Sequence, residues 1–235
     1  MAILHFIVFY LTLSPKSTYK MYSDDTRKKL QDIISGTNIT WQADTCTAAR
    51  NYLCTSFSPS TTVKRDFDRR SAIKKEQAQS LIEFITLNHL WRDAAPYENR
   101  YLTQGGEAEI YFDTETNSVI KLNDAVYYST WLDFFTSILI HNLLFGDTYY
   151  QLEGFVRTEN RLQAMLKQKF AVSNEVVDLT EVKIFLELNG FINTKRDDYY
   201  NPELGLILED IHDQNVIMNS GVMFFIDTVF YIDLK

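Results

Sequence analysis

Between residues 205 and 230 the chain reads G-L-I-L-E-D-I-H-D-Q-N-V-I-M-N-S-G-V-M-F-F-I-D-T-V-F, and no other stretch constrains the fold as tightly. Its polar residues stand at regular places in an apolar run. Asp210 precedes Asn215 by five positions, with His212 and Asp213 between them. Residues 215–218 and 222–226 have the β-branched and aromatic character of two short buried strands. Asn219-Ser220-Gly221 between them supplies the Asn and Gly that a tight hairpin needs at positive φ. Asp227 follows the second strand directly, where a carboxylate is costly to bury without a cation or hydrogen-bond donors close by. The expected geometry is a loop carrying Asp210 and Asn215, then a hairpin that returns Asp227 to the same place. The residues by themselves leave a second account open, in which Asp210 caps a turn, Asn215 satisfies backbone and Asp227 pairs with a lysine.

Upstream, the spacing predicts three helices before residue 92. Ser23 caps the first, which carries acids in its first turn, runs through residues 27–34 and ends before Gly36. The second covers 43–57 and the third 73–91, where Ala78, Leu81, Ile82 and Ile85 form an apolar stripe widened by Phe84. Residues 56–62, rich in Ser and Thr, link them. No chemistry-bearing constellation lies in this part, so it reads as a helical cap packed on the rest of the chain. Residues 2–13 are apolar but too few to span a bilayer, and they lack the basic start and cleavage site of a signal peptide. A buried strand, a poorly ordered tail and an extension upstream of a start at Met21 are the three readings of that run. The expected division is 1–22 apolar segment, 23–100 helical cap and 101–235 second domain.

From Tyr101 onward the pattern turns to strands. Residues 105–112, G-G-E-A-E-I-Y-F, read as a strand entered through a glycine pair. Residues 118–122, S-V-I-K-L, read as its hairpin partner across Glu115-Thr116-Asn117. A long apolar helix is expected over 126–145, capped by Asn123 or Asp124, with Asp133 the only interior carboxylate and His141-Asn142 as a core polar pair or cap. Strands over 151–157 and 162–170, a connection at 171–173, a helix capped by Asp178 and ending at Gly190, and a polar loop over 193–201 complete the chain. The two cysteines, Cys46 and Cys54, fall about 12 Å apart on one helix, beyond disulfide reach, and are expected as reduced cytoplasmic thiols. With a net charge of −8, the chain is a poor partner for a nucleic-acid backbone. The basic residues between 64 and 75 are interrupted by Asp66 and Asp68, as on a solvated helix face.

The phrases G-G-E-A-E-I-Y, V-I-K-L-N-D, H-N-L-L-F, L-E-D-I-H-D-Q-N-V and F-F-I-D-T-V-F, in that order, resemble a protein-kinase-like domain. More narrowly, they resemble the compact kinase-like domains of polyvalent proteins on bacterial phages and conjugative elements. The likeness covers about residues 101–235. It implies an α+β fold: a helical N-terminal cap followed by a compact, truncated kinase-like domain with an antiparallel sheet. It implies ATP and Mg²⁺ as cofactors, with nucleotide bound by Gly105, Gly106, Glu107, Lys121 and Asp133. Lys121 would meet the α/β-phosphates, Asp210 would act as base for an acceptor hydroxyl, and Asn215 and Asp227 would hold the metal. Two features depart from the pattern. The long helix has no glutamate for Lys121, leaving Asp133 as the candidate, and the sequence stops eight residues after Asp227 without a helical C-terminal lobe.

Two functions of different class are implied. One is an active ATP/Mg-dependent phosphotransferase. The other is a nucleotide-binding or degenerate kinase-like module that works by interaction, with residues 23–91 as a protein-partner surface. A third, in which His212-Asp213 and His141 form a metal phosphohydrolase site, fits poorly, because such sites sit on helices of all-α folds. No membrane association is expected.

Overall fold

In the computed structural model, residues 22–59, 67–106, 108–158 and 161–233 are described. The apolar run at 2–13 and most of the basic residues at 64–70 therefore lie outside them, or have side chains that do. The elements run α1 (Asp24–Ile34), α2 (Thr45–Cys54), α3 (Phe67–Leu87), β1 (Tyr101–Gln104), β2 (Ala108–Asp113), β3 (Ser118–Asn123) and α4 (Trp131–Leu144). Then come β4 (Tyr150–Arg157), β5 (Leu162–Lys169), α5 (Leu179–Leu188), β6 (Ile192–Lys195), β7 (Asp198–Asn201), β8 (Leu206–Glu209), β9 (Val216–Asn219), β10 (Val222–Phe225) and β11 (Val229–Ile232). The fold is α+β, every paired strand is antiparallel, and no described helix is long and apolar enough to cross a membrane.

A five-stranded sheet in the order β1-β2-β3-β5-β4 holds Lys121 on its central strand. α4 lies against this sheet and is buried almost all round, as its apolar composition demands. α1, α2 and α3 pack on its other side, and one apolar core runs from Leu30 and Ile33 through Phe134 and Phe135 to Phe230. The helical cap is thus built into the core rather than laid upon it.

Several local expectations were displaced. α4 begins at Trp131, not near 126, and its cap is Thr130, whose hydroxyl accepts from the Asp133 N–H at 3.0 Å. Asn123 and Asp124 instead turn the preceding loop, accepting from the N–H groups of Ala125 and Val126, and Ala125 sits at φ 56. From α3, Gln77 accepts the Leu132 N–H at 2.9 Å and Lys74 donates to the carbonyls of Ala125 and Tyr128, so α3 fixes where α4 starts. The polar loop expected over 193–201 is the hairpin β6–β7, with Tyr199 and Asn201 pointing into the core. In the β9–β10 hairpin the positive φ values fall on Ser220 and Gly221, while Asn219 is still strand. The side chain of Asn219 reaches across to donate to the Val172 carbonyl at 2.7 Å. The Asn174 N–H donates to Met218, and the N–H groups of Ser220 and Gly221 donate to the side chains of Asn174 and Glu175.

The outer edge of β4 is covered by residues 90–92. The Phe155 N–H donates to the Leu90 carbonyl at 2.9 Å and the Arg92 N–H to the Phe155 carbonyl at 2.8 Å. This close approach requires Gly154, whose φ is 152° and whose missing Cβ would stand 2.3 Å from the Leu90 oxygen. Gly154→Ala should therefore cost about 3 kcal/mol, since the backbone must shift and the edge pairing must break. A denaturant midpoint equal to the wild type's would show that this edge contributes nothing.

Candidate functional site

Two segments cross between the four-stranded sheet β11-β8-β7-β6 and the β9–β10 hairpin, and the strand registers bring them together. Glu209 pairs with Val229, so Asp210 continues one step beyond β8 opposite the end of segment 226–228. Val216 pairs with Phe225, and the Ile226 N–H donates to the Asn215 carbonyl at 3.0 Å, so Asn215 meets the same segment from the hairpin side. The short ladders thus force residues 210–215 and Asp227 into one place.

Lys121 reaches this place from β3. Its ammonium donates to Asp227 Oδ1 at 2.9 Å and to the Ile226 carbonyl at 3.2 Å, and lies 3.3 Å from the Tyr150 hydroxyl. Its side chain is 6% exposed, that of Asp227 42%. A lysine on a central strand is tolerated because its charge ends on a carboxylate that still touches water. The Tyr150 hydroxyl also donates to Asp227 Oδ1, at 2.8 Å. Among the described residues, no bond is made to Asp227 Oδ2.

The loop half is equally specific. The Gln214 N–H donates to His212 Nδ1, which leaves the neutral ring's proton on Nε2, 3.5 Å from Asp210 Oδ1. The Nδ2 group of Asn215 then gives its two protons to the Asp210 carbonyl at 2.9 Å and to Asp210 Oδ2 at 3.0 Å. The contact between Asn215 Nδ2 and His212 Nε2 at 3.1 Å is a proximity, not a bond, because both would donate. Asn215 Oδ1 is left as the atom open to a cation. Asp210 stands at φ 67 with its side chain 58% exposed, a left-handed conformation that Asp tolerates and that holds its carboxylate at the rim.

Gly105 and Gly106 form the turn between β1 and β2, and Ile110 pairs with Lys121, which places that turn roughly 13 Å along the hairpin from the lysine. A Cβ on Gly106 would lie 2.6 Å from the Tyr127 hydroxyl, the end of an exposed side chain that would have to shift. Glu107 lies outside the described residues. Asp133 does not take the place of a helix carboxylate for Lys121. It sits in the first turn of α4, where its charge acts on Lys74. Lys121 and Asp227 are bonded to each other, Asp210 and Asn215 are bonded to each other on the loop held beside segment 226–228, and Asp133 joins neither pair.

Four residues around Asp227 escape reasoning from the sequence: Tyr150, Gln168, Thr148 and Thr228. None carries a spacing signal, because each matters only through contacts across the core. His141, expected as a core polar residue, is one. It is fully buried, with Nδ1 2.7 Å from Thr228 Oγ1 and Nε2 2.9 Å from the Thr148 carbonyl. A small cavity of about 20 Å³, room for one water, opens beside it between Lys121, Tyr150 and Asp227. With His141 engaged in this way, it does not join His212 and Asp213, and no cluster of three or more His, Cys, Asp or Glu suited to a metal exists among the described residues.

Burial pushes the His141 imidazole from 6.5 down to about 4, and Lys121 adds to this, against the opposing pull of the Thr148 bond and Asp227. The unfolded chain then binds the extra proton first. The stability this group contributes is present above pH 6.5 and is lost as pH falls toward 4. About 2 kcal/mol should disappear between pH 7 and pH 5. Melting curves across that range check this, and a His141→Gln variant should lose the pH-dependent part.

Residues 74–234, more than half of the chain, match the model of a family described as serine/threonine/tyrosine kinases found in polyvalent proteins. No curated protein and no solved structure matches.

Proposed function

Because the chain belongs to the family of serine/threonine/tyrosine kinases found in polyvalent proteins, we propose that it is an ATP- and Mg²⁺-dependent phosphotransferase. The observation that carries this reading is the Lys121–Asp227 ion pair at 2.9 Å, which joins the central strand of one sheet to the segment that lies beside the loop of Asp210 and Asn215. The donor set fits Mg²⁺, which takes one or two carboxylate or amide oxygens and completes its shell with phosphate and water. Asp227 Oδ2 and Asn215 Oδ1 would be the protein ligands. When bound, Mg²⁺ would offset charge on the phosphates.

The remaining work falls to the chain's own side chains. Lys121, released from part of its pairing, meets the α/β-phosphate oxygens from the sheet side. Asp210 accepts the proton of the acceptor hydroxyl as its oxygen bonds to the γ-phosphorus. The bond from that phosphorus to the bridging oxygen breaks, and ADP leaves. Asn215, by donating to Asp210 Oδ2, keeps that carboxylate oriented.

One observation favours the second reading, a nucleotide-binding module without catalysis: α4 supplies no carboxylate to Lys121, which is held by Asp227 instead. Titration of the purified protein with ATP, with and without Mg²⁺, followed by assay of γ-phosphate transfer to added protein and small-molecule hydroxyls, separates the two. Tighter binding with Mg²⁺ and measurable transfer are expected. Binding without transfer selects the module, and no binding in either condition overturns both.

A further inference from the structure

The backbone on both sides of Asp227 is held by buried side chains from β3, β5, α4 and the turn before β4. Thr148 Oγ1 donates to the Phe225 carbonyl at 2.6 Å. The Ile226 carbonyl accepts from Lys121 and from Gln168 Nε2 at 3.1 Å. Thr228 is held through its hydroxyl by His141. A carbonyl can only accept, so the His141 bond to the Thr148 carbonyl fixes its proton on Nε2, and Nδ1 must accept from Thr228. The same Thr148 carbonyl takes Gln168 Nε2 at 2.7 Å, which ties β5 into the set. The half-buried Asp227 carboxylate therefore rests on a backbone hydrogen-bonded at residues 225 and 226 and on a Thr228 side chain bonded to His141.

We propose that His141 is a positioning residue for Asp227: from α4 it locks Thr228 and Thr148, and so holds the Asp227 carboxylate in the orientation that receives Mg²⁺. The proposal rests on the phosphotransferase reading of the site. It makes α4 part of the metal site through a histidine–threonine bond, a role that its sequence does not announce. Hydrogen bonds made to a metal ligand itself change metal affinity by about ten- to a hundredfold when removed, and a bond to the adjacent residue is expected at the low end of that range.

Thr228→Val keeps the shape and removes the hydroxyl, and Thr228→Ser keeps the hydroxyl. Mg²⁺ is titrated into each protein held with ADP. The half-saturating Mg²⁺ concentration should rise about tenfold in Thr228→Val and return to within about twofold of wild type in Thr228→Ser, while metal-free ADP affinity is unchanged in both. A loss of packing alone would weaken ADP binding with and without metal. Equal Mg²⁺ midpoints in wild type and Thr228→Val overturn the positioning role while leaving the phosphotransferase reading intact. A wild type whose ADP binding ignores Mg²⁺ overturns the reading, and the role with it. Should Thr228→Val fail to fold, ¹⁵N spectra of the wild-type histidines decide: a ring protonated on Nε2 supports the lock, and one protonated on Nδ1 overturns it.

Discussion

On the phosphotransferase reading, Lys121→Ala will lower the rate of phosphate transfer on the order of a hundred- to a thousandfold while leaving the melting temperature within a few degrees of wild type. The kinetic part would come from removing a buried cation that this reading assigns to the phosphates, a loss comparable to deleting a preorganised charge-stabilising donor. The thermal part depends on the group left behind. Deleting one member of a buried pair is severe when the survivor is stranded without water. Here Asp227 remains 42% exposed and keeps its hydrogen bond from Tyr150, so its charge stays solvated. Transfer rates and thermal melts on the same preparation check both halves. A collapse in stability would show that Lys121 serves the fold instead.

Asp210→Asn will separate binding from chemistry. Asparagine keeps an oxygen to accept from Asn215 and tolerates φ 67, so the loop should retain its shape. It loses the ability to take a proton, which should lower kcat by about a hundred- to ten-thousandfold with Mg²⁺-dependent nucleotide binding unchanged. Alanine is the poorer test, because it adds backbone strain at a left-handed position. Transfer that survives in Asp210→Asn would remove the base role from this residue.

The residues that were legible in the sequence are those whose meaning is local. The Asp210–Asn215 spacing, the two short strands after it and the return of Asp227 come from strand period and turn chemistry, and β2–β3 with Lys121 comes in the same way. Asp133 was misread because only composition pointed to it: it was the one carboxylate inside the apolar helix, and the true helix start at Trp131 leaves it in the first turn beside Lys74. The β6–β7 hairpin was misread because its exposed strand is polar and only Tyr199 and Asn201 face the core. The shell of Tyr150, Gln168, His141, Thr148 and Thr228 was invisible for a different reason. Each side chain is ordinary in its own segment, and its role depends on partners up to 87 residues away.

The bonds between the tip of the β9–β10 hairpin and residues 172–175 bear on how the molecule can move. Residues 170–178 are the covalent link from the five-stranded sheet to α5 and the strands beyond, the natural place for the two halves to pivot. Asn219, Ser220 and Gly221 hold that link at both backbone and side-chain level. Bracing of this kind stiffens the pivot: the β9–β10 hairpin, with Asn215 and Asp227 at its two ends, is tied to the link and is not free to swing apart from it.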